Sequence, residues 1–241
     1  MMAVVRGHSA VMASRREPPD SLDFFPTPPW ATRALIEHVV PGAGGRAWEP
    51  AAGEGHMAAV LAEAFDAVHR TDVFDYGSLD AVGSFVGEGL DVVACPDPRP
   101  DWIITNPPFN LAVAFAERAL DEAAEGVALL LRSSWMEGAD RYERLFRDRP
   151  PSIVAPFVER VPMVKGRWDP EASTATSYAW FVWRRASLDA GLTGPGRFGR
   201  TDTQLVWIPP GCRQLLERDS DRRRFTTSAE SGPTLFDEAT P

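Results

Sequence analysis

The stretch Asp101-Trp102-Ile103-Ile104-Thr105-Asn106-Pro107-Pro108-Phe109 decides the fold expected of this chain. Its first half is a β-type run, and two prolines end it because neither can donate a hydrogen bond to a neighbouring strand. Each proline also restricts the backbone of the residue before it. Asn106 therefore leaves the strand end with its amide held in a set direction. Such strand ends in α/β sheets are the usual location of binding sites.

The turn Asn106-Pro107-Pro108-Phe109 offers a side-chain carbonyl, a backbone carbonyl and a flat aromatic ring. Two acceptors can take the two hydrogens of an exocyclic NH2 group, while the ring of Phe109 stacks on the planar group that carries it. A strand that ends in a plain Pro-Pro turn, followed by a core phenylalanine, has the same local sequence. These four residues alone leave both interpretations open.

Strands and helices alternate on both sides of this stretch, which predicts an α/β sheet with right-handed crossovers. The run at 126–131 is apolar throughout, as a parallel sheet covered on both faces requires. Thr27 is a candidate N-cap, with Pro28 at the first helical position. Strands are predicted at 46–50, 68–73, 90–93, 102–105, 126–131, 153–158 and 178–183, with an extra one at 205–208; helices are predicted at 28–40, 57–65, 111–124, 137–147 and 212–219.

The chain divides into three segments by composition. Residues 1–21 are expected to be a flexible N-terminal segment, 22–185 the main domain, and 186–241 a C-terminal extension that is partly disordered. The run Arg222-Arg223-Arg224 falls in the part expected to be disordered. Phe24 and Phe25 precede the first helix, where they fit either a hydrophobic staple or the edge of a ligand site.

Composition limits the functional classes. No apolar run approaches the ~18 residues of a membrane span, and the two cysteines predict free thiols in a reducing cytoplasm. The four histidines are dispersed, so no metal site is predicted. The net charge is −9, but the acidic excess lies before residue 132 and the later part is slightly basic. That asymmetry fits a polyanion bound to the second half, and it also fits an ordinary solvated surface.

A small-residue turn follows the short strand at 46–50. Gly53 and Gly55 allow close approach of backbone to a cofactor, and Asp72 at the next strand end suits a ribose diol. Gly53-x-Gly55-x-x-Ala58 with Asp72 also matches the dinucleotide fingerprint, which keeps a nicotinamide-dependent oxidoreductase as an alternative. Glu49 and Pro50 lie where that motif requires an apolar strand.

Four motifs in this order resemble those of amino-group DNA methyltransferases, most closely the small prophage-type N6-adenine enzymes: Phe24-Phe25-Pro26-Thr27-Pro28, Glu49-Pro50-Ala51-x-Gly53-x-Gly55, Asp72, and Asn106-Pro107-Pro108-Phe109. The resemblance covers roughly residues 22–183. It implies a class I, Rossmann-like, seven-stranded sheet, mostly parallel with an antiparallel last strand, and helices on both faces.

The resemblance also implies an activity and its partners. The domain at 22–185 would transfer a methyl group from S-adenosylmethionine to the exocyclic N6 of adenine in double-stranded DNA, after base flipping. The setting would be the cytoplasm, with a prophage or a restriction-modification system. RNA guanine-N2 and protein glutamine methyltransferases use similar Asn-Pro-Pro-aromatic turns, so those acceptors stay open.

The same resemblance assigns site residues. Asn106 and the Pro107 carbonyl would bind the target amine, Phe109 would stack on the flipped base, and Pro108 would lie near the cofactor. Asp72 would hold the ribose hydroxyls. Asn106 is also expected to contact the cofactor, and the remaining cofactor contacts are expected from Phe25, Thr27, Glu49, Ala51, Gly53, Gly55, Val73 and, at the cofactor adenine, Asp91. In the loop at 160–176, Lys165, Arg167 and Trp168 are the candidate DNA-binding residues, with Trp168 as a second stacking face.

Overall fold

The computed structural model describes residues 24–87, 91–185 and 203–225. Its strands form one sheet in the order β3-β2-β1-β4-β5-β7-β6-β8. The strands are β1 Arg46–Glu49, β2 Ala67–Asp72, β3 Ala81–Val82, β4 Trp102–Thr105, β5 Gly126–Arg132, β6 Ile153–Pro156, β7 Tyr178–Arg184 and β8 Gln204–Leu205. The helices are α1 Pro29–His38, α2 His56–Leu61, α3 Ala112–Glu122, α4 Ala139–Arg141, α5 Cys212–Leu216 and α6 Asp219–Phe225, with a 3-10 turn at Ser133–Met136 and a π turn at Tyr142–Phe146.

The sheet is parallel except for β7, which runs antiparallel between β5 and β6. This confirms the predicted mostly parallel sheet with an antiparallel seventh strand, although the sheet has eight strands where the resemblance implied seven. β8, the extra strand, pairs in parallel with β6 at the edge. The parallel strands β1, β2, β4 and β5 all end on the same edge, so the turns that follow them meet there.

Two apolar layers cover the sheet. Successive residues of a strand point to opposite faces, and in β4 Ile103 and Ile104 are both fully buried, each in a different cluster. Ile104 packs in the layer that contains Trp30 of α1, and Ile103 packs in the layer that contains Phe115 of α3. The central strands therefore lie between helices, and their tips are fixed by a rigid core.

The third strand is not where the apolar pattern predicts it. β3 is Ala81–Val82, whereas Val92 makes only an isolated bridge with Ser84, and Leu90 lies outside the described residues. Ala81 and Val82 are both exposed. Their pairing with β2 depends on backbone hydrogen bonds alone, so no hydrophobic pattern marks this strand in the sequence.

Thr27 does not cap α1. The helix begins at Pro29, the residue before it is Pro28, and no side chain caps its first turn. Pro29 has no N–H to satisfy, and the N–H of Ala31 already donates to the Pro28 carbonyl at 2.9 Å. The prolines thus leave little need for a capping hydroxyl, and Thr27 is instead buried beside the site.

The segment 203–225 packs onto the sheet domain. Asp221 of α6 forms a buried ion pair with Arg33 of α1, with 2.7 Å between Nη1 and Oδ2. Phe225 is also buried. Arg222 to Arg224 lie between these two anchors in α6, so the expectation that these three residues are disordered is wrong. None of the described helices is long and apolar enough to cross a membrane. Cys95 and Cys212 are free thiols, as predicted.

Candidate active site

A cleft of about 820 Å³, its open mouth included, lies at the carboxyl ends of β1, β2 and β4. Its position is the one where α/β sheets bind ligands. The sheet brings together turns that are far apart in sequence. The lining residues are Phe24, Phe25, Pro26, Thr27, Glu49, Pro50, Ala51, Ala52, His56, Met57, Asp72, Val73, Tyr76, Ser84, Phe85, Asn106, Pro108, Leu111 and Phe115.

Asn106 follows β4 directly and presents its amide to this cleft. Its Nδ2 donates to the carbonyl oxygen of Phe25 at 2.9 Å, which fixes the rotation of the amide. Its Oδ1 is buried and accepts no hydrogen bond from any residue the structure describes. The following turn is closed by the N–H of Leu111, which donates to the Pro108 carbonyl at 3.0 Å. A rigid turn therefore holds one unused acceptor at the cleft.

Phe109 lies beside the cleft and is half-buried. Its ring centroid is 5.8 Å from that of Phe25 and 6.4 Å from that of Tyr178. The guanidinium carbon of the exposed Arg132, at the end of β5, lies 4.6 Å from the same centroid. Pro107 is buried and, like Phe109, is not part of the cleft wall. The aromatic ring is thus adjacent to Asn106 and supported on its core side.

The glycine turn after β1 lies against Asp72 and Phe24 and leads directly into α2. Gly53 has φ +52°, and its N–H donates to Oδ2 of Asp72 at 2.9 Å. A Cβ on Gly53 would lie 2.4 Å from Cε2 of Phe24. Gly55 has φ +82° and precedes α2. Only glycine fits position 53, because both the left-handed backbone and the aromatic ring exclude a side chain.

Glu49 is a buried carboxyl group in the cleft wall, with an exposed fraction of 2%. Burial raises the pKa of Glu49 well above the usual range. The hydrogen bond that the Ala58 N–H donates to the carboxyl group lowers the pKa, but its effect is smaller. Its Oε2 is also buried and has no hydrogen-bond partner within the described chain. A buried carboxyl with a spare oxygen is suited to a cationic group of a ligand, which would compensate the cost of ionising it.

Asp72 ends β2 on the opposite side of the glycine turn. Burial raises its pKa, and hydrogen bonds from the backbone N–H groups of Gly53, Phe74 and Val73 oppose that shift. Oδ1 accepts from Phe74 at 3.2 Å. The carboxylate is therefore oriented by backbone donors at the mouth of the cleft. Val73 and Ala51, both predicted cofactor contacts, line the same wall.

Asp91 is not part of the cleft. It is exposed, and its backbone carbonyl accepts from the Ser84 N–H at 2.7 Å. Ser84 and Phe85 line the cleft, and Asp91 does not. Asp91 follows β3 at a distance, because β3 lies at Ala81–Val82, earlier in the chain than the apolar pattern indicates.

The three candidate DNA-binding residues differ in exposure. Arg167 is exposed and pairs with Asp169 at 3.2 Å, and neither it nor Lys165 lines the cleft. Trp168 is only 4% exposed, and its ring lies 6.4 Å from each of the rings of His56 and Phe225. This burial removes Trp168 from the candidate stacking surface and places it beside His56, which lines the cleft.

Several residues that line the cleft belong to no motif or apolar pattern in the sequence. Tyr76, Ser84 and Phe85 lie in a polar stretch with no apolar period, and only the return of the chain after β2 brings them to the cleft. His56 could have been found, because it follows Gly55 directly at the start of α2. Phe24 and Phe25 line the cleft, and Phe25 also packs against the apolar core, so its position fits both interpretations of that segment.

No protein-family model matches the chain, and no curated protein matches it. Solved structures do resemble it. The M protein of the type I restriction enzyme EcoKI aligns with a TM-score of 0.50 and 12% identity, over 76% of this chain and 48% of that one. The chain has the class I methyltransferase fold.

Two further likenesses are weaker. A type I restriction-modification methyltransferase subunit from Streptococcus thermophilus aligns with a TM-score of 0.46 and 8% identity, over 65% of this chain and 42% of that one. A candidate class I S-adenosylmethionine-dependent methyltransferase from Listeria monocytogenes aligns with a TM-score of 0.49 and 10% identity, over 78% of this chain and 67% of that one. The chain thus spans about half the length of the restriction-enzyme subunits it resembles, or less.

The strand order also bears on the oxidoreductase alternative. The usual dinucleotide-binding sheet is parallel in the order 3-2-1-4-5-6. Here the strand beside β5 is the antiparallel β7, inserted between β5 and β6. The match of Gly53, Gly55 and Ala58 to the dinucleotide fingerprint therefore belongs to a methyltransferase sheet.

Proposed function

We propose that the chain transfers a methyl group from S-adenosylmethionine to the exocyclic N6 of adenine in DNA. The observation that carries this proposal is the amide of Asn106. Its nitrogen is held by Phe25, and its buried oxygen is left without a donor among the described residues. An NH2 group on a planar ring is the donor that such an oxygen, beside the ring of Phe109, fits best.

The cleft residues fit the proposed cofactor. Glu49 supplies a buried acceptor for an ammonium group, and Asp72 supplies an oriented carboxylate for a ribose diol. Gly53 and Ala51 keep the wall between them free of bulk. Ser84 and Phe85 form the remaining wall, which suits a flat base. S-adenosylmethionine would supply an activated methyl group in this position.

The chemistry assigned to the chain is mainly one of alignment. The lone pair of an adenine amino group is delocalised into the ring, which makes the nitrogen a poor nucleophile. Asn106 Oδ1 and the Pro107 carbonyl, as acceptors for the two N–H groups, would pull the nitrogen toward a tetrahedral geometry and localise that pair on it. Phe109 would hold the base plane. No general base is required before transfer, because the proton can leave after the bond to carbon forms.

The base has to leave the duplex to reach this site, at a cost of a few kcal/mol that stacking on Phe109 would offset in part. Arg167 and Lys165 remain candidates for phosphate contacts outside the cleft. The likeness to a restriction-enzyme M protein supports DNA as the substrate class. The loop at 160–176 is the candidate for recognition of the flanking bases, and a single loop of this length is expected to read a short target site.

The test is methyl transfer from radiolabelled S-adenosylmethionine to DNA, RNA and protein in separate reactions. We expect label in DNA, recovered as N6-methyladenine after digestion. Label in RNA guanine or in protein glutamine, with none in DNA, would show that DNA is not the methyl acceptor. A thermal-shift comparison of S-adenosylhomocysteine with NAD tests the cofactor independently, and stabilisation by NAD alone would overturn it. Sequencing that detects modified bases, in cells that express the chain, would then identify the target site.

A further inference from the structure

His56 is a buried imidazole in the wall of the cleft that the chemistry proposed above does not use. It is the first residue of α2 and is 2% exposed. Both ring nitrogens are buried, and neither has a hydrogen-bond partner in the part of the chain that the structure describes. A buried polar group without a partner costs free energy, so such a group in a ligand cleft is expected to be satisfied by the ligand.

The ring of His56 is held from behind by residues distant in sequence. Phe225 of α6 stacks on it, with 4.1 Å between centroids and 23° between planes. Trp168, from the loop after β6, contacts it edge-on. α6 is in turn anchored by the ion pair between Asp221 and Arg33. The orientation of the imidazole is therefore fixed before any ligand enters.

The imidazole is neutral in this setting. Burial, together with the nearby charge of Arg224, lowers the pKa of His56 to about 3. A neutral imidazole carries one N–H donor and one acceptor nitrogen. It can therefore donate a hydrogen bond to an anion without bringing a charge into the cleft.

Glu49 lies close to the same turn of α2, since the N–H of Ala58 donates to its carboxyl group. The cleft thus combines a spare carboxyl oxygen with an unpartnered imidazole at one end. These two groups complement an amino acid, whose ammonium would face Glu49 and whose carboxylate would accept from the imidazole. We infer that His56 donates a hydrogen bond to the α-carboxylate of the methionyl part of S-adenosylmethionine and so selects ligands that carry it.

This inference rests on the proposed cofactor but not on the proposed acceptor, so binding alone tests it. The two ligands are S-adenosylhomocysteine and its decarboxylated analogue, which keeps the ammonium group and lacks the carboxylate. The variant is His56→Phe, which preserves an aromatic ring on Phe225 and removes both nitrogens. Calorimetry should show at least a tenfold weaker binding of S-adenosylhomocysteine to the variant, the usual effect of one hydrogen bond to a charged group. Binding of the decarboxylated analogue should be unchanged.

The matched control is Glu49→Gln, which should weaken both ligands because both carry the ammonium group. Equal losses for the two ligands in His56→Phe would assign His56 a purely structural role and overturn the inference. Undiminished binding of S-adenosylhomocysteine would overturn it as well. If wild-type protein bound neither ligand, the cofactor assignment itself would fall, and the inference with it. Failure of DNA methylation alone would leave these binding results, and therefore the role assigned to His56, intact.

A second measurement needs no variant at position 56. The chain has four histidines, and with 15N-labelled histidine their ring nitrogens can be assigned by replacing the other three singly. Addition of S-adenosylhomocysteine should shift the protonated ring nitrogen of His56, whereas the decarboxylated analogue should not. The same response to both ligands would contradict a contact with the carboxylate.

Discussion

Asn106 donates through Nδ2 to the carbonyl oxygen of Phe25 at 2.9 Å. This hydrogen bond joins the turn after β4 to the segment before α1, which lies 81 residues earlier in the chain. It decides which end of the amide faces the cleft, because the nitrogen is occupied and the oxygen is left over. The catalytic proposal depends on that orientation.

Asn106→Ala should abolish methyl transfer while S-adenosylhomocysteine still binds, because the variant removes the acceptor for the target amine and leaves the Glu49 and Asp72 end of the cleft unchanged. Asn106→Asp is the matched control. It keeps an acceptor oxygen but places a second oxygen against the Phe25 carbonyl, so partial loss is expected. Transfer by the alanine variant at the wild-type rate would remove Asn106 from the mechanism.

Phe109→Ala should weaken binding of DNA with a flipped target base by about 1–3 kcal/mol, the contribution of one base–aromatic stack. Phe109→Trp keeps a flat ring and should retain most of the activity. The measurement is DNA affinity and 2-aminopurine fluorescence at the target position. Equal activity of the two variants would refute stacking as the role of Phe109.

Gly53→Ala should abolish cofactor binding and destabilise the fold, because the new Cβ would lie 2.4 Å from Phe24 in addition to the strain of a positive φ. Gly42→Ala is a matched control. Gly42 also has a positive φ, +77°, but nothing lies within 4 Å of an added Cβ. That variant should be destabilised only by the backbone strain, about 1–2 kcal/mol, and should bind S-adenosylhomocysteine normally. The comparison needs urea denaturation and calorimetry, and equal behaviour of the two would argue against a close contact at Gly53.

The stability of the ligand-free chain should respond to the ionisation of Glu49. Burial raises its pKa above the ordinary carboxyl value of 4.5, so the folded state holds the proton more tightly than the unfolded state. The free energy of unfolding therefore falls as pH rises from that value toward the raised pKa. Glu49→Gln should remove this decline, which denaturation at a series of pH values would reveal. A wild-type profile that the variant reproduces at every pH would contradict a buried, titrating Glu49.

Breaking the ion pair of Arg33 and Asp221 should destabilise the chain by roughly 2 kcal/mol, because the buried guanidinium of Arg33 loses one of its two carboxylate partners and keeps only Glu63. Asp221→Ala tests this, and it should also weaken binding of S-adenosylhomocysteine, since α6 carries the Phe225 ring that holds His56. Arg144 and Glu117 form a more exposed pair at 2.9 Å. Arg144→Met should therefore change stability by less than about 1 kcal/mol. A similar small change in both variants would show that α6 is not anchored as described.

Local sequence predicted the central strands of this protein and the turns that follow them. β4 and β5 are short apolar runs with clear ends, and the prolines after Asn106 admit only a turn at that place. Gly53 and Asp72 were predicted at adjacent strand ends, and the structure joins them by a 2.9 Å hydrogen bond. These features could be predicted because each depends on backbone restrictions and on patterns of apolar residues within a few positions of one another.

The sequence by itself determined an α/β sheet and the turn that bears Asn106, since strand ends and glycine turns are set locally. Only the tertiary structure decided the walls around that turn. It placed Ser84 and Phe85, and not Asp91, in the cleft wall. It also buried Trp168 and stacked Phe225 on His56. The last two outcomes depend on how segments more than a hundred residues apart pack on one core, because burial and ring contacts between distant residues leave no periodic pattern in either segment alone.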